Sequence, residues 1–259
     1  MHFASSQNLA ATRRTATTIT LNNGKRSQPQ RRNKPRFAVG HLALGYILGK
    51  TSSKLLGTNL NIPLIFTLSM IPDADILLQH FGLIQHRGPT HSIILSIIAF
   101  APVLIIYRKK ALPYLIVLAQ HTLIGDFMLG GRFQLFWPVT TEYYGTGTSV
   151  TDQTGAALEC AFFLASVAMM LLTQDIVTLT HPHGSNLILA IPTFTVILPT
   201  FLSYPMQVPA LLITPHVVYL AMFTTSILIA IPKTAKIIRT KFQILPNLEK
   251  TTHKEILQK

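Results

Sequence analysis

The sequence predicts an all-α fold: a polytopic membrane helical bundle with short or re-entrant N-terminal helices. Three observations lead there. Of the 259 residues, 49% are hydrophobic and only 12% charged, and mean hydropathy is +0.40, unlike an ordinary soluble domain. Several apolar windows approach the roughly 20 residues that a membrane span needs. The formal charge of +13 is unevenly placed, most Lys and Arg lying in the two tails and in Arg108-Lys109-Lys110, where helix ends meet anionic headgroups.

Residues 1–36 carry Arg13, Arg14, Lys25, Arg26, Arg31, Arg32, Lys34 and Arg36 with no acid and no apolar core. They read as a disordered basic tail that rests near anionic lipid, although the composition also suits an organelle transit peptide. Nucleic acid is not the expected partner. The helical membrane domain is expected over 37–232, with the site in 38–172, and a basic, interfacial tail over 233–259.

Within that domain the first apolar segment, Phe37 to Leu48, is too short to span alone. Its Gly40, Gly45 and Gly49 mark close helix packing, and His41 lies just inside its start. Lys50 to Asn61 reads as a polar connection, and Ile62 to Ile71 as an apolar run about half a membrane deep. Pro72 disfavours helix at Ile71. Asp73 and Asp75 would point about 200° apart on a helix, so both can serve one site only if the backbone breaks there, as it does where protein lines a cavity within a membrane.

Ser92 to Tyr107 is then an apolar helix, Arg108 to Lys110 a basic turn, and Ala111 to Leu129 the antiparallel return that brings His121 and Asp126 level with His91. His121 and Asp126 lie about 140° apart on an ideal helix, so their convergence requires a distortion near Gly125 or a second metal. Gly130 to Gly155, with Trp137-Pro138 and Tyr143-Tyr144, is a loop with interfacial aromatics, either a lid or a plain connection. Ala156 to Leu172, Leu187 to Ser203 and Ala210 to Ile231 follow as apolar segments, the last the clearest span. Packing or loop roles are expected for Cys160, the single cysteine, and for His181, His183 and His216.

The chemistry gathers around Gln85-His86-Arg87-Gly88-Pro89-Thr90-His91-Ser92. His41, Asp73, Asp75, His86, His91, His121 and Asp126 are the candidate ligands, and they include three of only nine acidic residues in the chain. An unpaired carboxylate at bilayer depth costs about 2.5–3.5 kcal/mol, and Arg87 alone cannot neutralise three. One or two divalent cations can, and mixed imidazole and carboxylate donors suit zinc or manganese, with iron or nickel also compatible.

At these residues the chain resembles the YdjM/YbcI family of inner-membrane metal-dependent hydrolases. The likeness rests on Gly40-His41, Pro72-Asp73-Ala74-Asp75, His86-Arg87-Gly88-Pro89-Thr90-His91-Ser92, and His121 to Asp126 followed by Gly130-Gly131 and Leu135-Phe136-Trp137-Pro138. It covers about residues 38 to 172. The resemblance implies metal binding through His41, Asp73, His86, His91, His121 and Asp126, with Asp75 nearby. Relatives often carry a histidine directly after the Asp-x-Asp; this chain has Ile76 there, with His80 as the nearest substitute. A more distant likeness to helical zinc-dependent phospholipase C and P1-type nucleases favours phosphoester chemistry.

The expected function is therefore a multi-pass, inner-membrane hydrolase in which metal-activated water attacks an ester or phosphoester of a lipid or lipid-linked substrate. Asp75 is expected as the base and Arg87 as the holder of an anionic substrate group. The rivals are a transporter or ion-handling protein using the same cluster, and a non-enzymatic anchor whose basic tail recruits a partner.

Overall fold

A computed structural model describes residues 38–80, 83, 86–127, 132–146, 153–202 and 208–257; the side chains of Leu77, Gln79 and His80 and those beyond 240 are not described. The basic tail 1–36, Gln85 and Gly130-Gly131 lie outside these residues, as does the His80 side chain. The described chain is helical, its only β-type pairing being an isolated bridge between Phe133 and Tyr144.

The helices are α1 (Ala38–Leu56), α2 (Ile62–Met70), α3 (Asp75–His80), α4 (Ile93–Tyr107), α5 (Leu112–Gln120), α6 (Gln153–Leu172), α7 (Asp175–Thr180), α8 (Ala190–Leu202) and α9 (Ala210–Leu257). Three stretches are long and apolar enough to cross a membrane: 153–172, 184–202 and 210–240. The first helices are shorter or less apolar, as expected. The basic segment beyond Lys233 continues α9.

Central α1 packs against α2, α5 and α6, and its first turns are almost wholly buried. All three glycines permit close approach, but not on one face. A methyl at Gly45 or Gly49 would meet α2 and α5, through Ser69 and Gln120 or Ile65 and Val117, whereas one at Gly40 would meet Glu159 of α6. The steps of the helix explain this: Gly45 and Gly49 differ by about 40°, Gly40 and Gly45 by about 140°. The apolar centre joins Leu42 and Tyr46 of α1 to Phe66 of α2, Phe163 of α6 and Tyr219 and Phe223 of α9.

At the end of α1 the boundary differs from the sequence reading. Lys50 to Leu56, expected as connection, extends α1, which ends at Gly57 with φ +60, the left-handed conformation that glycine adopts cheaply. Thr51 and Lys54 there are exposed, but Ser52 and Ser53 are buried and Lys50 is tied down. Lys50 Nζ and the Tyr46 hydroxyl donate to Asp175 at 2.9 and 2.6 Å, with Thr173 adding a third hydrogen bond at 2.8 Å.

The hairpin forms as expected. Ser92 caps α4, accepting from the Leu95 N–H at 3.3 Å; Arg108–Ala111 make a 3-10 turn; and α5 returns toward the start of α4. His216 lies buried with Nδ1 2.7 Å from the Leu212 carbonyl, and His181 and His183 make local hydrogen bonds to Val177 and Ser185. Cys160 packs beside Ala156, Val208 and Leu212. All four have the packing or loop roles anticipated.

Candidate metal centre

Two departures from regular α-helix build the site. Beyond α2, Ile71 remains in the right-handed helical region and Pro72–Ala74 form a 3-10 turn. Pro72 lacks an N–H but can open a new turn, so the chain tightens here instead of becoming extended, and Asp73 and Asp75 both reach His91. Beyond α5, His121–Asp126 form a π-helical turn. Its i→i+5 register places residues five apart on one face, which removes the 140° mismatch of an ideal helix.

Space for that wide turn comes from Gly125, where a side-chain carbon would overlap Nδ1 and Cε1 of His41. The His41 ring stacks on His121 with centroids 4.0 Å apart. Gln120 fixes the crossing by donating to the His41 carbonyl at 3.3 Å.

Four donor atoms converge. His91 Nε2 lies 3.3 Å from Asp73 Oδ1 and 3.4 Å from Asp126 Oδ2; His121 Nε2 lies 3.5 and 3.6 Å from the same two oxygens. Ligands bonded at 2.0–2.2 Å around a tetrahedral ion stand roughly 3.3–3.6 Å apart; the four histidine–aspartate spacings match that range, and His91, His121 and Asp126 offer donor atoms all within 4.8 Å of one another. In the metal-free protein the His91–Asp73 contact is itself a long hydrogen bond, against 2.6 Å between His86 Nδ1 and Asp75 Oδ1.

Both imidazoles are also set for metal on the far side of the ring. The Nδ1–H of His121 donates to the Ser69 carbonyl at 2.7 Å, leaving the Nε2 lone pair for a ligand, and His121 Nε2 is buried without a hydrogen bond. Nδ1 of His91 lies 3.1 Å from the Thr90 hydroxyl and 3.4 Å from Asp75 Oδ2. Such outer partners accompany metal-binding histidines.

The remaining expected residues surround this core. His41, Asp73 and His121 offer donor atoms within 4.8 Å of one another, as do Asp73, His86 and His91. His86 is the more exposed histidine, joined to Asp75 and packed edge-on to His91 with centroids 5.1 Å apart. Asp75 is buried and engaged through both oxygens, by His86 on one and by Thr90 and His91 on the other.

Arg87 has φ +65, a left-handed conformation uncommon for a non-glycine residue, and the residue is only 1% exposed. Its Nη2 lies 3.9 Å from Asp126 Oδ1. Three buried carboxylates against one guanidinium leave two negative charges, which one divalent ion cancels. The described loop 132–146 is stitched over this segment: Gln134 N–H donates to the Arg87 carbonyl at 3.2 Å, Ile93 N–H to Leu135 at 3.0 Å, and Ser92 Oγ lies 2.5 Å from the Trp137 carbonyl.

Asp75 and His91 both lie outside the three candidate spans. Burial pushes the Asp75 carboxyl up, but hydrogen bonds with His86 and His91 outweigh it and hold Asp75 well below the usual carboxylate range. Burial lowers His91, yet Asp126, Asp73 and Asp75 together carry it up to about 10. The metal-free protein therefore holds a proton on His91 at neutral pH, a stabilising contribution complete below the unfolded value near 6.5 and lost as pH rises through about 10. Metal must displace this proton. Calorimetry in buffers of differing ionisation enthalpy is expected to show about one proton released per ion at pH 7, with affinity rising about tenfold per pH unit below 10.

Sequence reasoning missed several supporting groups: Ser69, Thr90, Gln120 and, on α6, Glu159. Glu159 is 2% exposed and accepts the Gly40 N–H at 3.2 Å, locking α1 to α6 beside His41. Its rarity was a usable signal, since a carboxylate in the apolar run 156–172 needs a partner.

The family model described as YdjM inner membrane protein matches residues 37–204, more than half of the chain and past the 172 anticipated from the motifs. No curated protein matches the chain, and no solved structure does.

Proposed function

We propose, for a chain that belongs to the YdjM inner membrane protein family, that it is an inner-membrane, metal-dependent hydrolase acting on an ester or phosphoester of a lipid or lipid-linked substrate. The observation carrying this reading is the set of His91, His121, Asp73 and Asp126 donors at ion spacing, with both histidines held from behind.

A bound divalent cation, zinc or manganese by donor type, supplies Lewis acidity and makes water a competent nucleophile at neutral pH. The chain's own residues do the rest. Asp73 and Asp126 fix charge opposite the two imidazoles, and the Arg87 guanidinium, buried beside Asp126, adds a positive charge to the site that favours an anionic substrate group nearby. Exposed apolar side chains at the same end, Leu123 on the π-turn and Phe136, Val139 and Tyr143 on the stitched loop, suit a substrate that arrives from lipid.

Metal-reconstituted protein in mixed micelles is expected to release product from a phospholipid or a generic phosphodiester at least tenfold faster than a His91→Ala control. Full metal occupancy without hydrolysis of either overturns the hydrolase reading.

One observation also favours an ion-handling role: His91, His121, Asp126 and Arg87 are all at most 1% exposed, and buried ionisable groups in membrane proteins mark ion pathways. Metal-dependent uptake into liposomes without hydrolysis would select that reading.

A further inference from the structure

We propose that Asp75 is a positioning residue of the metal centre, its two oxygens bracing His86 and His91 with the help of Thr90 so that Nε2 of His91 faces Asp73 and Asp126. This rests on the metal reading of the site and replaces the role of base with one the geometry supports better. A base needs a free oxygen within reach of water. Asp75 is 2% exposed and both of its oxygens are engaged: Oδ1 lies 2.6 Å from His86 Nδ1, and Oδ2 takes the Thr90 hydroxyl and lies 3.4 Å from His91 Nδ1.

The two ends of the His91 ring are thereby divided. Nδ1 faces Asp75 and Thr90, while Nε2 faces Asp73 at 3.3 Å and Asp126 at 3.4 Å. A carboxylate behind an imidazole fixes the tautomer that leaves the opposite nitrogen's lone pair available, and raises its basicity as a ligand. His121 obtains the same service from a carbonyl, that of Ser69; His91 obtains it from a charged group that also holds the outer His86. The 3-10 turn Pro72–Ala74 serves this division, because it places Asp73 at one nitrogen of His91 and Asp75, two residues on, at the other.

The test is metal affinity of the full chain, measured by competition with a chelator, together with the visible spectrum of the cobalt(II)-loaded protein. Asp75→Asn keeps the shape but offers one acceptor oxygen where two are used; it is expected to weaken cobalt and zinc binding about 10–100-fold and to shift the cobalt bands. Thr90→Val is expected to do so more weakly, with Thr90→Ser restoring wild-type behaviour.

Asp175→Asn is the control for folding alone. That carboxylate is also buried and held by Tyr46, Lys50 and Thr173, so its loss should lower the melting temperature without moving affinity or spectrum. Unchanged affinity and spectrum in folded Asp75→Asn, with wild type binding metal, overturn the positioning role; if activity alone then disappears, Asp75 is the base after all. Absence of metal from wild type overturns the metal reading instead.

Discussion

Replacing His91 with alanine is expected to abolish metal binding and to destabilise the metal-free protein. His91 Nε2 is adjacent to both Asp73 and Asp126, and Nδ1 to Asp75, so one imidazole meets all three carboxylates. Removal of an outer partner of a ligand costs 10–100-fold in affinity, and removal of the ligand itself should exceed about 100-fold. In the metal-free state, protonated His91 is the charge between those carboxylates. Its loss leaves buried like charges facing each other, and breaking a buried pair on one side costs about 3–5 kcal/mol. Chelator competition and chemical unfolding check the two effects separately.

Gly125→Ala is expected to damage the site through shape alone. The added methyl group would gain about 1 kcal/mol in helix preference, but it overlaps the His41 ring, which is buried and stacked against His121. Overpacking costs about 1–3 kcal/mol, so the net result is a loss of stability together with at least a tenfold weaker affinity as the His41 and His121 rings separate. In the double variant with His41→Ala the clash is gone, and half or more of the stability loss should return. Strict additivity of the two changes would place the strain elsewhere.

What the sequence made legible follows from what kinds of physics it encodes locally. Ligand types, the basic turn and the apolar lengths on either side of it are composition and spacing, and they sufficed to bring His91 level with His121 and Asp126. The π-turn was visible only as a misfit: two residues five apart that an α-helix would point in different directions, with a glycine between them. What filled that space, the His41 ring arriving from α1, is a long-range packing fact with no local signature.

Asp73 and Asp75 illustrate the same limit. Their spacing announced a broken backbone, but not that the break is a tight 3-10 turn straddling one imidazole. Lys50 to Leu56 misled for a related reason: a polar run next to a short apolar one resembles a loop until the Asp175 carboxylate that receives Lys50 is brought from 125 residues away. Glu159 likewise acquires meaning only once the Gly40 N–H lies against it.

The most direct test of a His/Asp metal centre is X-ray absorption at the metal edge on the purified full chain, loaded with zinc and dialysed free of excess. The arrangement of His91, His121, Asp73 and Asp126 predicts at least one retained ion per chain and a nearest shell of imidazole nitrogens and carboxylate oxygens at about 2.0–2.2 Å. A chain that retains no ion after loading, or whose ion shows a shell without imidazole, would contradict it.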